Sequence, residues 1–453
     1  MNDMMTGKEL LLKTLDHEAV PRAPWVPFAG VHAGSLKGFS ARETLSDANK
    51  LVESLLEVNR LYSPDGQPIL FDLQIEAEAL GCDLLWSDKA PPSVSSHPLF
   101  GTSSVPARIP GPGEGRIALA VEATRRMKAA VGDRTALYGI VTGPLTLASH
   151  LRSTELFMDL ILEPEYAAQL IDYSFRVETA VAGYYADAGV DVIAVVDPLV
   201  SQISPVHFEE FLQKSYADFF SVIRARGLRS SFFVCGNATH NLEPMCRTRP
   251  DCISVDENVS MRDAKKITDR YNVCLGGNIQ LTVAMLFGSQ ADNMKAVIDI
   301  LDDCGKAGNL IVSPGCDMPY DVPVENAIAA SLAAREPDQA RAMLVDYQRT
   351  DLPMDVALPD YSRLEKPIVE VFTLDSDTCA ACGYMMETAK GLKAQFGDRI
   401  ELVEYKFTSL ENIARCRKME VKNLPSIYLN GVLAYSSIIP SRKDLAAKVE
   451  SLL

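Results

Sequence analysis

The sequence predicts an α/β chain in two folded parts. A (β/α)8 TIM barrel spans residues 1–345, and after a linker at 346–365 a small α/β domain covers residues 366–453. Three observations predict this. Short apolar runs rich in β-branched residues recur between helix-like stretches across the first part, the pattern of a parallel sheet covered by helices. No Gly-x-Gly-x-x-Gly turn follows any of these runs, which favours a closed barrel over a doubly wound sheet. Between Arg335 and Pro367 the text becomes polar and proline-interrupted, with one short helix and little strand pattern, as in a linker.

The expected barrel strands are 69–73, 83–86, 136–141, 190–196, 230–235, 252–256, 273–278 and 310–316. Barrel chemistry is built at the C-terminal ends of strands, and those ends read Asp197, Cys235, Asp256-Glu257, Asn278 and Cys316. Beyond the linker, 368–373 alternates as a strand and Cys379-Ala380-Ala381-Cys382 follows at once. A helix (384–396), a strand (400–405), a helix (409–419), a strand running into an Asn430-Gly431 hairpin turn, its partner strand and a final helix complete the small domain.

The chain has 453 residues, 47% hydrophobic and 23% charged, a globular balance that excludes disordered, collagenous and coiled-coil readings. With 44 Lys and Arg against 60 Asp and Glu the net charge is −16, so a nucleic-acid or anionic-membrane partner is not expected. Lys8, Lys13, Asp16 and Glu18 interrupt the start where a signal peptide needs an apolar run. No apolar stretch approaches the roughly 18 residues of a membrane span, and a cytoplasmic location is expected. There the ten cysteines should be mostly reduced, as core, metal or redox residues.

A Cys-x-x-Cys pair between a strand and a helix places its first thiol where helix N–H groups lower the pKa and favour the nucleophilic thiolate. Cys379 and Cys382 are therefore a redox candidate; half a zinc site is the alternative, but only Cys416 follows them. Cys235 and Cys316 end two barrel strands and converge on the mouth, where soft sulfur ligands suit zinc. A strand-end cysteine is more often a small hydrophobe, so this pair is weak alone. Cys82, Cys246, Cys252, Cys274 and Cys304 lie in apolar or helical text and read as packing residues.

The last 88 residues resemble the thioredoxin/glutaredoxin superfamily: Cys379 and Cys382 match the active-site pair, and Leu424-Pro425 matches the cis proline that faces it. Thr378 and Ala380-Ala381 depart from the Trp and Gly-Pro of thioredoxin proper. The first part resembles the uroporphyrinogen decarboxylase superfamily, which includes corrinoid-dependent methyltransferases of the methylcobalamin:coenzyme M type. The resemblance rests on Arg22-Ala23-Pro24-Trp25-Val26-Pro27, the 76–82 and 90–94 segments, Gly143-Pro144-Leu145-Thr146, Asp197-Pro198, Ile203-Ser204-Pro205, Cys235-Gly236-Asn237, Ser254-Val255-Asp256, Gly277-Asn278-Ile279 and Ser313-Pro314-Gly315-Cys316-Asp317.

The resemblance implies a barrel enzyme. True decarboxylases carry arginines that clamp the substrate carboxylates, where this chain reads Phe28-Ala29-Gly30-Val31-His32. The methyltransferase branch binds zinc through His-x-Cys and a distant Cys; Cys235 and Cys316 match, and Phe233 stands at the His position. Either a third ligand comes from Glu257, His240, Asp256 or Glu78, or the site is altered or lost. Asp197, Glu78 and Asn278 are the expected catalytic residues; Glu76 and Glu78, with Asp72 before them, read either as pocket acids or as hydrogen-bonded residues of the barrel rim. None of the six histidines has Asp two residues before it, so methylcobalamin is expected on a partner corrinoid protein. The implied reaction is zinc-assisted methyl transfer between that corrinoid and a thiol or other small substrate. Competing expectations are a tetrapyrrole decarboxylase and a thiol redox or binding adaptor using Cys379/Cys382.

Overall fold

The computed structural model describes residues 5–305, 308–348, 356–376 and 380–453. They divide into two compact units, one of Met1–Val200 with Ser204–Tyr347 and the other of Ser201–Ile203 with Gln348–Leu453. The first unit carries a seven-stranded parallel sheet: β1 (Gly66–Pro68), β2 (Ala136–Thr142), β3 (Val192–Val196), β4 (Arg229–Val234), β5 (Cys252–Val255), β6 (Cys274–Ile279) and β7 (Leu310–Pro314). Spatial order follows sequence order. Apart from Arg229, every residue of these strands is buried, as in a parallel sheet covered on both faces.

The segment Pro24–Val26 stands between the two ends of this sheet. Trp25 bridges Val312 in parallel, Val26 N–H donates to the Val312 carbonyl at 3.0 Å and Val312 N–H donates to the Pro24 carbonyl at 2.9 Å. On its other side Asp65 N–H donates to the Trp25 carbonyl at 2.9 Å. The curl is thereby closed with an eighth stave. Arg22 grips Asp65 through two bonds of 2.6 and 2.8 Å, and the same carboxylate accepts Trp25 N–H at 2.8 Å.

Two sequence expectations are corrected here. The 83–86 run is not a barrel strand; Leu84–Leu85 pairs antiparallel with Ser93–Val94 in a separate ribbon. Leu85 is 62% exposed, so its hydrophobicity was no guide to the core. The first strand begins at Gly66 rather than at 69, and its continuation leaves the sheet after Ile69 N–H reaches the Tyr138 carbonyl at 3.1 Å. Inside the barrel, alternate residues form layers: Ala136, Tyr138 and Ile140 from β2 meet Val192, Ala194 and Val196 from β3, with Phe28, Phe71 and Phe233 nearer the C-terminal ends.

The second unit holds a four-stranded sheet in the order β9 (Glu401–Lys406), β8 (Ile368–Thr373), β10 (Ser426–Leu429), β11 (Val432–Ser436). β8 runs parallel to β9 and antiparallel to β10. One face packs Val369, Val371, Ile427 and Leu429 against helices Ala380–Phe396 and Arg442–Glu450. The other sets Phe372 and Tyr428 against Cys416 of helix Leu410–Lys418. Asn430 and Gly431 both have positive φ, 49° and 76°, as a type I′ hairpin requires. The end of the expected linker is part of this unit: Lys418 Nζ donates to the Val356 carbonyl at 2.8 Å and Tyr361 O–H to Glu370 at 2.9 Å.

Candidate functional site at the barrel mouth

Cys235 follows the last residue of β4, and Cys316 lies two residues past the end of β7. Gly315 sits so close to the next loop that a Cβ there would come within 2.8 Å of the Glu257 nitrogen. The two cysteines, 81 residues apart in sequence, are joined as a disulfide with their Cα atoms 6.0 Å apart. Sequence placed both thiols at one mouth, and the structure brings them together; it departs from the expected reduced state at this pair. Both are partly buried against the Phe28, Phe71 and Phe233 cluster and Leu73.

Phe233 occupies the position where the resemblance puts a histidine ligand. Its ring lies 5.0 Å from that of Phe28 and 6.1 Å from that of Phe71, so the position is given to aromatic packing. Among the described residues no three His, Cys, Asp or Glu side chains converge as a metal-binding group. His240 is exposed on the short 3-10 turn Thr239–Asn241. Glu257 is turned to the next loop, accepting Leu281 N–H at 2.5 Å, and burial pushes its carboxyl up to about 8. Asp256 accepts Asn258 N–H at 2.8 Å. Two sulfurs with no third donor do not fit the three-ligand zinc centre expected from Cys235, Cys316, Glu257 and His240.

The expected catalytic residues have different situations. Asp197 is fully buried and accepts Leu145 N–H and Thr146 N–H at 3.1 Å, and the hydroxyls of Thr146 and Tyr216 at 2.6 Å. Four donors leave it no open lone pair for chemistry, and it holds the N-terminus of helix Pro144–Arg152 in place. Asn278 donates to the Asp256 and Val259 carbonyls at 2.8 and 2.7 Å, tying the β5 and β6 ends together. Glu78 keeps 35% of its side chain exposed and accepts Arg116 Nε at 2.6 Å.

Arg116 is the residue that sequence reasoning missed. Its guanidinium is nearly buried, bridges Glu78 and Asp72, and lies over the Trp86 ring at 4.9 Å. No pattern marks it, because its partners stand 38 and 44 residues away in sequence. Asp317 accounts for the Gly-Cys-Asp run: its carboxylate accepts Gly30 N–H at 2.7 Å, and a Cβ on Gly30 would meet it at 2.6 Å. Burial pushes Asp317 up to about 8. Glu76, buried beneath the mouth, accepts the Thr142 hydroxyl at 2.7 Å and is pushed up to about 7 by desolvation.

In the second unit Cys382 is buried in the first turn of its helix, and its sulfur accepts Leu374 N–H at 3.3 Å. The Leu424–Pro425 peptide is cis. Cys379 lies outside the described residues.

A closed parallel barrel with its polar and sulfur-bearing side chains at the strand ends defines an α/β-barrel enzyme scaffold. The uroporphyrinogen decarboxylase (URO-D) family profile matches residues 6–337, and the chain belongs to that family. Methylcobamide:CoM methyltransferase MtbA of Methanosarcina acetivorans is 28% identical over 330 residues, covering 71% of this chain and 95% of that protein. Methylcobamide:CoM methyltransferase MtaA of Methanosarcina barkeri is 31% identical over 273 residues, covering 58% and 77%. A solved methyltransferase from Methanosarcina mazei superposes with a TM-score of 0.67 at 26% identity, covering 74% of this chain and all of that one. No helix among the described residues is long and apolar enough to cross a membrane.

Proposed function

We propose that the barrel moves a methyl group between a corrinoid, carried as methylcobalamin by a partner protein, and a thiol or other small substrate. The observation that carries this reading is the meeting of Cys235 and Cys316 at the ends of β4 and β7 in a barrel whose relatives are methylcobamide:CoM methyltransferases. Glu78, Arg116 and Asp72 form a charged cluster past the end of β1, whose partly exposed Glu78 is suited to meeting a polar substrate. Asp197 and Asn278 act as positioning residues. The zinc implied by the resemblance is not supported by the donor set, and no step is routed through it. A decarboxylase reading lacks a clamp: Phe28, Ala29, Val31 and His32 are buried, and His32 Nε2 is hydrogen-bonded to the Tyr62 hydroxyl at 2.7 Å.

The second unit fits a thioredoxin-like reading. Support comes from its β9-β8-β10-β11 sheet, Cys382 at a helix start and the cis Pro425. Methyl transfer is tested by incubating the reduced full-length protein with methylcobalamin and a small thiol, following the cobalt absorbance and the thioether formed. Turnover that disappears in Cys316→Ser supports the reading. Absence of turnover with methylcobalamin, both free and on a corrinoid protein, together with carboxyl loss from a porphyrinogen, overturns it.

A further inference from the structure

The pair that fails as a metal site has a chemistry of its own. β4 and β7 are not neighbours; β5 and β6 lie between them, so the Cys235–Cys316 bond links two loops across the mouth. Both cysteines are partly accessible, as thiol–disulfide exchange requires. Cys82, Cys246 and Cys416, by contrast, are buried, and their thiols are pushed up to about 12 by desolvation, which leaves them inert at neutral pH. The Phe233 ring fills the position from which a third ligand would hold two thiolates apart around a metal.

We propose that Cys235 and Cys316 are a redox-active pair, a disulfide opened to two thiols by a dithiol of the Cys-x-x-Cys class. This chain carries such a sequence at Cys379 and Cys382. In the exchange, a thiolate of the reductant attacks one barrel sulfur, forming a mixed disulfide and releasing the other as a thiolate that takes a proton from water. The second reductant thiol then attacks the mixed disulfide. Two electrons pass to the barrel pair, which ends as two thiols, and the reductant ends as a disulfide. The pair extends the proposed methyl transfer by setting when two mouth thiols are available, but it does not depend on that reading.

The test is peptide mapping of the full-length protein. After exposure to oxidised glutathione, a non-reduced digest should contain the 235–316 cross-linked peptide. Addition of a reduced thioredoxin-class dithiol should convert it to two separately alkylated peptides, faster than a monothiol at equal thiol concentration. With a monothiol alone, reduction in wild type exceeding that in Cys379→Ser by about tenfold or more identifies the chain's own dithiol as the source, as a tethered group at roughly millimolar effective concentration would act. Equal rates, with the added dithiol still effective, identify a separate reductant protein. If the cross-link never forms, or zinc stays bound stoichiometrically with both sulfurs protected from oxidation, the proposal is overturned. These readouts are independent of methyl transfer, so an inactive enzyme with this redox behaviour would refute only the proposed function.

Discussion

Phe233 and Glu76 show how single side chains set the character of the mouth. Phe233 is fully buried against Phe28 and Phe71, so Phe233→Ala opens a void among three rings. The expected loss is roughly 3–5 kcal/mol, read as a lower midpoint in denaturant unfolding. Glu76 accepts the Thr142 hydroxyl, and Glu178 and Asp72 add like charge nearby. Its carboxyl is raised from 4.5 to about 7, so the folded state retains a proton that the unfolded chain releases. The sign follows: the stabilising effect is complete below about pH 4.5 and is lost as pH rises through about 7. Glu76→Gln keeps an acceptor for Thr142 and removes the ionisation. Unfolding free energies measured from pH 5 to 8.5 should fall less steeply in the variant, with a difference at the alkaline end of up to about 3 kcal/mol. An unchanged slope would show that Glu76 ionises freely in the folded protein.

At the scale of elements, the end of β3 shows how a strand and a helix are fixed to each other. Asp197 caps helix Pro144–Arg152 from outside that helix, and Gly143 leaves no room for a Cβ against it. Asp197→Ala strips four donors of their acceptor, Tyr216 among them, deep in the protein. A loss of at least about 3 kcal/mol is expected, with reduced amide protection in the first turn of the helix. Loss of activity without any change in stability would instead return Asp197 to a catalytic role. The sequence made the strand end at Asp197 legible because 192–196 is a continuous apolar run. Its partners were not legible, since Thr146 and Tyr216 lie 51 and 19 residues away. The same distinction separates the strands read correctly from the one that was missed. Pro24–Val26 closes the barrel through two neighbours distant in sequence, and the two residues between Pro24 and Pro27 carry no periodicity. Cys235 and Cys316 were placed by their strand ends; that they bond rather than await a metal depends on Phe233 and on the turn of Glu257 toward Leu281, both matters of packing.

For the whole molecule, the decisive feature is that each unit has its own core. The barrel layers draw on residues from Leu11 to Ile311, while the clusters on both faces of the second sheet draw only on residues from Val369 onward. A unit that buries its own apolar faces needs no partner to fold. Residues 1–347 and 348–453, produced separately, are therefore each expected to unfold cooperatively in thermal melts, with midpoints tracking two transitions of the full chain. Tyr361 must remain with the second fragment, because its hydroxyl lies on the buried Glu370 and its ring against Gly431. A fragment starting at residue 366 would leave Glu370 without that donor and should melt lower than 348–453. Equal midpoints for these two fragments would make the 356–365 segment a passive tether. A non-cooperative melt of 1–347 would mean that the barrel's layers do not suffice for its stability.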